Sequence, residues 1–147
     1  MTIKSFLAQN SFIQVSVNVN VNAWQEIIEK AAKPLIEGGF VTADYPQAVI
    51  DNTLEYGPYY VFDEGIAIPH ARPECGVIKD CFSMVTLATP VSINGSEPVD
   101  IIVMFGGVNG DSHITEGIAS IVGLLDHEDT LSRIRHATTV EEILGLL

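Results

Sequence analysis

Apolar residues alternate with polar ones near the start of the chain, over residues 11–19. A period of two with β-branched side chains is typical of a strand. Residues 81–87 predict a second strand, and residues 99–105 predict a third, whose almost continuous apolar run indicates burial on both faces of a sheet. Shorter extended pieces are predicted at 59–62, 66–68 and 91–93, the last as a hairpin arm or an edge strand.

Helical periodicity fills the intervals between the first predicted strands. Asn22, with Gln25 in the capping-box position, is predicted to begin a helix that ends at Gly38. Thr42 is predicted to begin a second helix, which stops at Tyr56. The side chains expected on the buried faces are Trp24, Ile27, Ile28, Ala31, Leu35 and Ile36 in the first helix, and Ala48, Val49, Thr53 and Leu54 in the second.

Three further helices are predicted after the third strand. Asp111 or Ser112 is expected to cap the first of them, which runs to about Leu125. A short helix is predicted over 128–135. Thr139 and Glu142 have the spacing of a capping box for a last helix that ends at Leu147.

This order of elements predicts the fold class. Strands separated by helices, together with a hairpin, favour an α/β fold, a three-layer α/β/α sandwich around a mixed sheet of four or five strands. The chain of 147 residues contains no repeat and no linker, so a single domain over 1–147 is expected. The order of the strands in the sheet does not follow from the pattern.

The charge of the chain limits its partners. The net charge is −12, with only seven lysines and arginines. That balance argues against nucleic acid or an anionic membrane, because each binds a basic surface. Two explanations of the acidity stay open, namely solubility and electrostatic attraction of a basic partner protein.

Targeting signals and cysteine usage indicate the compartment. No apolar run approaches the ~20 residues needed to cross a bilayer, and the first residues contain no apolar core of a secretory signal. Cys75 and Cys81 lack the spacing of a disulfide framework or a CxxC site. Two free thiols in a reducing compartment are the simpler explanation, so a cytoplasmic protein is predicted.

His70 follows a strand-like apolar run in the sequence GIAIPHARP, residues 65–73. Pro69 and Pro73 restrict the backbone on both sides, so the imidazole is expected on a stiff, exposed corner. Near its reference pKa of ~6.5 an imidazole is about half neutral and therefore nucleophilic. Because no Walker loop, kinase-type glycine-rich loop or carboxylate metal cluster accompanies it, a phosphoryl donor would be another protein or a small high-energy compound.

His113 falls in the first turn of the helix that follows the buried strand and a glycine-rich loop. Open α/β sheets bind ligands at this place, and a helix N-terminus offers free N–H groups and a partial positive charge that suit phosphate. His113 is therefore either a phosphate-binding donor or an exposed helix residue. His70 also follows the end of a strand, so the two imidazoles are candidates to meet across one crevice. His127 and His136 are predicted as surface or capping residues.

Arg72 lies two positions from His70 and has two interpretations. It is either a guanidinium that binds phosphate or a partner, or a surface residue paired with Glu74 or Asp80.

A metal site is the less favoured use of the two histidines. Zinc would need at least a third ligand besides His70 and His113. The sequence contains no HExxH motif and no paired spacing of ligands. The nearest candidates in sequence are Asp111, Glu116 and Cys75.

These segments resemble the enzyme IIA component of the bacterial phosphoenolpyruvate-dependent sugar phosphotransferase system, in its mannitol/fructose superfamily. Residues 65–70, GIAIPH, are similar to the family's active-site motif, and residues 111–114, DSHI, to its second-histidine segment. Residues 55–61, EYGPYYV, and 69–74, PHARPE, most resemble the ascorbate-type branch. The resemblance covers nearly the whole chain.

The resemblance implies a phosphotransferase with a phosphohistidine intermediate, an α/β/α fold and no metal or organic cofactor. His70 would accept the phosphoryl group from the phosphocarrier protein HPr and pass it to a cysteine of an enzyme IIB component, which serves the membrane enzyme IIC. His113 would donate a hydrogen bond to the phosphoryl group. Ser112 and Arg72 are assigned to phosphate or partner binding. Ascorbate is the candidate sugar.

Two departures from the family pattern affect the site. Mannitol-type members carry an arginine before the motif, but residues 51–55 here read DNTLE. The hypothesis is that Arg72 supplies part of the role of that arginine. Asp63 and Glu64 also stand directly before the motif, where relatives more often have uncharged residues, and are expected to be surface turn residues.

Two other functions stay open at this point. One is a regulatory module of the same fold, in which phosphorylation of His70 is a signal. The other, from a different class, is a metal-dependent hydrolase that uses His70 and His113.

Overall fold

The computed structural model describes residue 7 and residues 12–20, 22–108, 110–125 and 127–147, with the side chains of 110–117 excepted. Two short 3₁₀ helices, Asp63–Gly65 and Pro73–Cys75, lie on either side of the His70 segment. The strands are β1 (Ile13–Val17), β2 (Ile66–Ala67), β3 (Cys81–Ser92) and β4 (Pro98–Gly106), and the α-helices are α1 (Gln25–Glu37), α2 (Tyr45–Tyr56), α3 (Gly110–Leu125), α4 (Glu128–His136) and α5 (Val140–Leu146).

The four strands form one mixed sheet in the order β1-β3-β4-β2. β3 and β4 are an antiparallel hairpin, which confirms the predicted hairpin, while β1 runs parallel to β3 and β2 runs parallel to β4. Ile66 pairs with Ile101, so β2 is an edge strand beside the most buried strand. Because β2 and β4 run in the same direction, their carboxyl ends lie at the same edge of the sheet.

Helices cover both faces of the sheet, which confirms the three-layer prediction. Alternate residues of β4 face opposite sides, with Ile102 in the core under α1 and α2 and Ile101 in the core under α3, α4 and α5. The first core contains α1 and α2 side chains such as Ile27, Leu35, Tyr45 and Val49, and the second contains Ile121, Leu125, Leu131, Ile134 and Ile143.

The first two helices begin later than predicted. α1 begins at Gln25 without a side-chain cap, after a turn in which the N–H of Ala23 donates to the Asn20 carbonyl at 2.9 Å. α2 begins at Tyr45, after a turn in which the N–H of Tyr45 donates to the Thr42 carbonyl at 3.1 Å. Pro46 stands in the first turn of α2, where its missing N–H costs no helical bond.

Other boundaries also differ. Residues 59–62 do not form a strand, since only Val61 makes a bridge, to Ala67. Leu54 was expected in the core but is 59% exposed. α3 already includes Asp111 and Ser112, so its cap lies before them and outside the described side chains. The Thr139–Glu142 capping box is confirmed, with the Glu142 N–H donating to the Thr139 hydroxyl at 3.2 Å.

Among the described residues, no helix is long and apolar enough to cross a membrane.

Candidate active site

The His70 segment lies at the edge of the sheet where β2 and β4 both end. The N–H of Phe105 in β4 donates to the Pro69 carbonyl at 3.1 Å, so the pairing with β4 continues two residues beyond β2. His70 is the next residue. The sheet therefore carries the histidine to the edge on an extended, hydrogen-bonded backbone, between two prolines that restrict it further.

The imidazole of His70 is half-buried and not exposed as predicted, and one of its nitrogens is already bonded. Nδ1 lies 2.8 Å from the backbone oxygen of Ile68. A carbonyl oxygen can only accept, so Nδ1 must carry the proton and donate it. In the neutral ring the lone pair is then on Nε2, which leaves this nitrogen as the nucleophilic atom.

Burial lowers the pKa of His70 below its usual value, and the hydrogen bond to Ile68 opposes that shift in part. The lowered pKa favours the neutral ring, whose Nε2 lone pair is available at neutral pH. An imidazole in this state can attack an electrophilic centre, such as the phosphorus atom of a phosphoryl donor, without first losing a proton.

Tyr59 stands against the ring of His70. The two ring planes are perpendicular, with their centroids 5.4 Å apart. The Tyr59 hydroxyl donates a hydrogen bond to the backbone oxygen of His70. Tyr59 is 42% exposed, so its ring covers one side of the imidazole and is itself in contact with solvent.

Tyr45, at the start of α2, holds the backbone on the other side of His70. Its hydroxyl donates to the carbonyl oxygen of Phe105 at 2.8 Å and accepts from the N–H of Ala71 at 3.0 Å. The side chain is fully buried, which raises its pKa far above the usual value and keeps the hydroxyl protonated. Tyr45 thus joins the residue after His70 to the end of β4.

The N-terminus of α3 faces the same edge of the sheet, since a connection of three residues joins it to Gly106 at the end of β4. The Asp80 carboxylate accepts from the N–H of Val108 at 2.9 Å and fixes this connection. A helix of 16 residues carries a partial positive charge at its N-terminus. Ser112 and His113 lie in the first turn of this helix, but their side chains are outside the described residues.

Arg72 is exposed over 70% of its side chain. Among the described residues its ionic partner is Glu74, with 3.9 Å between Nη1 and Oε1. This is one of the two surface pairings that the sequence left open. Exposed pairs of this length contribute little to stability, so the guanidinium can leave Glu74 for a phosphate at small cost.

The opposite edge of the sheet holds an open groove of about 540 Å³, lined in part by Glu64, Gly65, Asp100 and Arg135. The guanidinium of Arg135 is bonded to protein groups. Nε of Arg135 donates to both carboxylate oxygens of Asp100, at 3.0 and 2.8 Å, and Nη2 donates to the Glu64 carbonyl. Asp63 and Glu64 are exposed here, at the far end of β2 from His70, as expected for surface turn residues.

The remaining candidate groups are away from this chemistry. His127 and His136 are exposed, and Nδ1 of His136 bonds to the Ser132 carbonyl of its own helix. Cys75 and Cys81 are free thiols, as predicted, and burial raises the pKa of Cys81 to about 12. Within the described part of the chain, no group of three His, Cys, Asp or Glu side chains is placed to hold a metal ion.

Comparison with known proteins identifies the family. A family model described as "Phosphoenolpyruvate-dependent sugar phosphotransferase system, EIIA 2" matches residues 9–147. The chain belongs to this family. The ascorbate-specific PTS system EIIA component of Escherichia coli strain K12 is 36% identical, over 100% of this chain and 96% of the relative. The corresponding component of Salmonella typhimurium has the same identity and coverage.

Solved structures of enzyme IIA proteins have the same fold. The mannitol-specific cryptic phosphotransferase enzyme IIA of Escherichia coli superposes with a TM-score of 0.84 and 30% identity, over 99% of this chain and 97% of that protein. A complex of mannitol enzyme IIA with phosphorylated enzyme IIB, also from E. coli, matches with a TM-score of 0.79 and 26% identity, over 92% of each chain. This enzyme IIA is therefore a component of the sugar phosphotransferase system.

The two tyrosines that bond to the His70 segment were not predicted from the sequence. Tyr45, Val49 and Thr53 recur at intervals of four residues along α2, and all three are buried. This spacing can be seen in the sequence, but it predicts only that the three side chains are buried, and not that the Tyr45 hydroxyl bonds to the His70 segment. Tyr59 carried no comparable signal, because it lies in a turn and its contact with His70 depends on the tertiary fold.

Proposed function

We propose that this enzyme IIA is a phosphoryl carrier whose acceptor atom is Nε2 of His70. It takes the phosphoryl group from HPr and passes it to a cysteine of an enzyme IIB component. The observation that carries the proposal is the 2.8 Å contact between Nδ1 of His70 and the Ile68 carbonyl, which leaves Nε2 as the nucleophile. The half-buried ring, with its lowered pKa, supports the same role.

The proposed transfer needs no change of tautomer. The lone pair of Nε2 forms a bond to phosphorus while the donor's P–N bond breaks, and that bonding pair returns to the donor's imidazole. The Nδ1 proton stays on the His70 ring throughout, bonded to Ile68. In the next step a thiolate of the IIB partner attacks phosphorus, and the P–N pair returns to Nε2.

The charge of the phosphoryl group is expected to be stabilised at the same edge of the sheet. The N-terminus of α3 provides N–H groups and a partial positive charge. We assign a hydrogen bond to the phosphoryl oxygens to His113 and further polar contacts to Ser112. Arg72, two residues from His70 and paired only at 3.9 Å within the described residues, is assigned the remaining positive charge.

The surface around His70 suits protein partners. Tyr59, Ile78 and Val108 expose apolar side chains and all lie beside this edge of the sheet, 42%, 52% and 38% exposed. A chain with a net charge of −12 attracts a basic carrier. A relative in complex with phosphorylated enzyme IIB supports IIB as the second partner, with enzyme IIC served indirectly. Such a carrier would act in the cytoplasm as one domain over 1–147.

We propose ascorbate as the sugar. The support is the identity of 36% to curated relatives named as ascorbate-specific EIIA components. The test is a comparison of enzyme IIB proteins, each offered the phosphorylated chain. Transfer to an ascorbate-type IIB at a higher rate than to a mannitol-type IIB is expected, and the reverse preference would contradict the assignment.

The carrier role is tested by phosphorylating the purified chain with phosphoenolpyruvate, enzyme I and HPr. We expect an acid-labile phosphoryl group on the unchanged protein, none on His70→Gln, and slower transfer to His113→Ala. His136→Ala is the matched control, because its Nδ1 also bonds to a backbone carbonyl, at 2.7 Å, on an exposed helix. Folded protein without label, or label that survives His70→Gln, would overturn the proposal.

A further inference from the structure

One peptide group beside the proposed acceptor is bonded at both of its polar atoms by tyrosine hydroxyls. The carbonyl of His70 accepts from Tyr59, and the N–H of Ala71, in the same peptide group, donates to Tyr45 at 3.0 Å. We call these two contacts the tyrosine clamp. Ala71 is only 4% exposed, so the polar atoms of this peptide group need partners within the protein, and the two tyrosine hydroxyls provide them.

Both ends of the clamp are attached to α2. Tyr45 is the first residue of the helix, and its hydroxyl is anchored at 2.8 Å to the Phe105 carbonyl of β4. Tyr59 lies three residues after Tyr56, the last residue of the helix. The clamp therefore connects three elements, namely α2, the end of β4 and the segment that carries His70.

The clamp completes the immobilisation of the histidine. On the N-terminal side, Nδ1 of the ring bonds to the Ile68 carbonyl, and the Pro69 carbonyl bonds to β4. On the C-terminal side, the tyrosines fix the peptide that sets the ψ angle of His70. With the backbone held on both sides and the ring packed edge-on against Tyr59, Nε2 keeps one direction.

We propose that Tyr45 and Tyr59 are positioning residues for phosphoryl transfer, which hold the His70–Ala71 peptide so that Nδ1 stays on Ile68 and Nε2 stays available. The proposal rests on the proposed carrier function. Both hydroxyls must remain protonated to donate, and burial raises the pKa of each tyrosine accordingly. Loss of alignment by about 1 Å at a reacting atom lowers rates up to about a hundredfold.

The first test replaces Tyr59 by Phe, which keeps the ring against His70 and removes only the donor. Transfer from phospho-HPr is expected to slow by about tenfold or more at saturating carrier, with little change in KM, because docking is intact and alignment is not. Tyr56→Phe is the control, since Tyr56 is 70% exposed. A rate equal to that of the unchanged protein would overturn the role of Tyr59.

Tyr45→Phe is the second test, and its control is Tyr60→Phe. Both tyrosines are fully buried, but the hydroxyl of Tyr60 bonds to the Thr53 hydroxyl at 2.8 Å and not to the peptide after His70. Both variants are expected to lose thermal stability, and only Tyr45→Phe is expected to lose transfer rate. Equal rates in two folded variants would overturn the role of Tyr45.

A measurement without phosphoryl transfer separates this proposal from the carrier function. Ring ¹⁵N shifts report which nitrogen of His70 carries the proton. We expect the Nδ1–H form in the unchanged protein and a growing Nε2–H population in Tyr59→Phe and Tyr45→Phe, but not in the two control variants. If the tautomer of His70 is unchanged in the clamp variants, the role of the clamp is overturned, even where the chain is shown to be a carrier. If the chain accepts no phosphate, the carrier function fails, but the change of tautomer in the clamp variants can still be observed.

Discussion

Nδ1 of His70 and the carbonyl oxygen of Ile68 lie 2.8 Å apart, and this contact determines which nitrogen of the ring is free. Because Ile68 is two residues before the histidine, the bond is local to the segment and depends on its extended backbone. β2 and the pairing of Pro69 with Phe105 maintain that backbone. The sheet edge thus selects the tautomer as well as the position of the imidazole.

His70 is expected to titrate below its usual pKa of ~6.5, because burial disfavours the imidazolium. Its folded-state pKa is therefore below the unfolded one, and the protein loses stability as pH falls below ~6.5, until the folded-state pKa is passed. His70→Gln lacks this titrating group, so its free energy of unfolding should fall less on acidification than that of the unchanged protein. NMR titration of the ring measures the pKa directly, and a value at or above 6.5 would contradict the prediction.

Tyr59→Ala is expected to raise the pKa of His70 toward its usual value, since the ring that covers the imidazole is removed. Tyr59→Phe keeps that ring and should keep most of the shift. The comparison separates the burial supplied by the ring from the hydrogen bond supplied by the hydroxyl. Equal pKa values in Tyr59→Ala and the unchanged protein would assign the burial of His70 to other neighbours.

Transfer from HPr is expected to slow several-fold as ionic strength rises, because salt screens the attraction between an acidic surface and a basic carrier. Glu74, exposed and four residues from His70, is expected to contribute to this attraction. Glu74→Gln should flatten the salt dependence, whereas Glu64→Gln, at the opposite edge of the sheet, should not. Stopped-flow rates across a salt series measure the effect, and a flat response of the unchanged protein would contradict it.

Arg72→Ala is expected to slow phosphorylation of His70 by about tenfold without destabilising the fold. A charge-assisted contact with phosphate is strong, whereas an exposed pair at 3.9 Å is worth about 0–1 kcal/mol. Arg133→Ala is the matched control, since Arg133 is 64% exposed and paired with Asp129 at 3.2 Å. If both variants accept phosphate at the normal rate, Arg72 has no part in the site.

Arg135→Ala is expected to do the opposite, lowering stability while leaving transfer intact. It removes the donors that hold Asp100 and the Glu64 carbonyl, and leaves a largely buried carboxylate without its partner. A loss of about 1–3 kcal/mol is expected in urea unfolding, against little change for Arg133→Ala. A carrier defect in folded Arg135→Ala would show that the two sheet edges are coupled.

The strands and the position of His70 were predictable because their signals are local. Alternation over 11–19 and the apolar run over 99–105 depend only on neighbours in sequence, and both correspond to strands of the sheet. The same pattern says nothing about which strands pair, so the order β1-β3-β4-β2 required the structure. Helix starts at Asn22 and Thr42 were wrong because a turn precedes each helix, with the Asn20 and Thr42 carbonyls accepting from Ala23 and Tyr45.

The partners of His70 were not predictable in the same way. Tyr45 lies 26 residues before Ala71, and Tyr59 lies 11 residues before His70. Their hydroxyls meet the same peptide only after α2 has packed on the sheet. The tautomer of the ring likewise depends on a backbone oxygen, which every residue possesses and no sequence pattern marks.

NMR of the phosphorylated protein identifies which nitrogen of His70 carries the phosphoryl group. The ¹⁵N-labelled chain would be phosphorylated by phosphoenolpyruvate, enzyme I and HPr, and the ring of His70 examined for ¹⁵N–³¹P coupling. We expect coupling to Nε2, with the proton retained on Nδ1 and donated to the Ile68 carbonyl. Phosphorus on Nδ1, or on a residue other than His70, would contradict it.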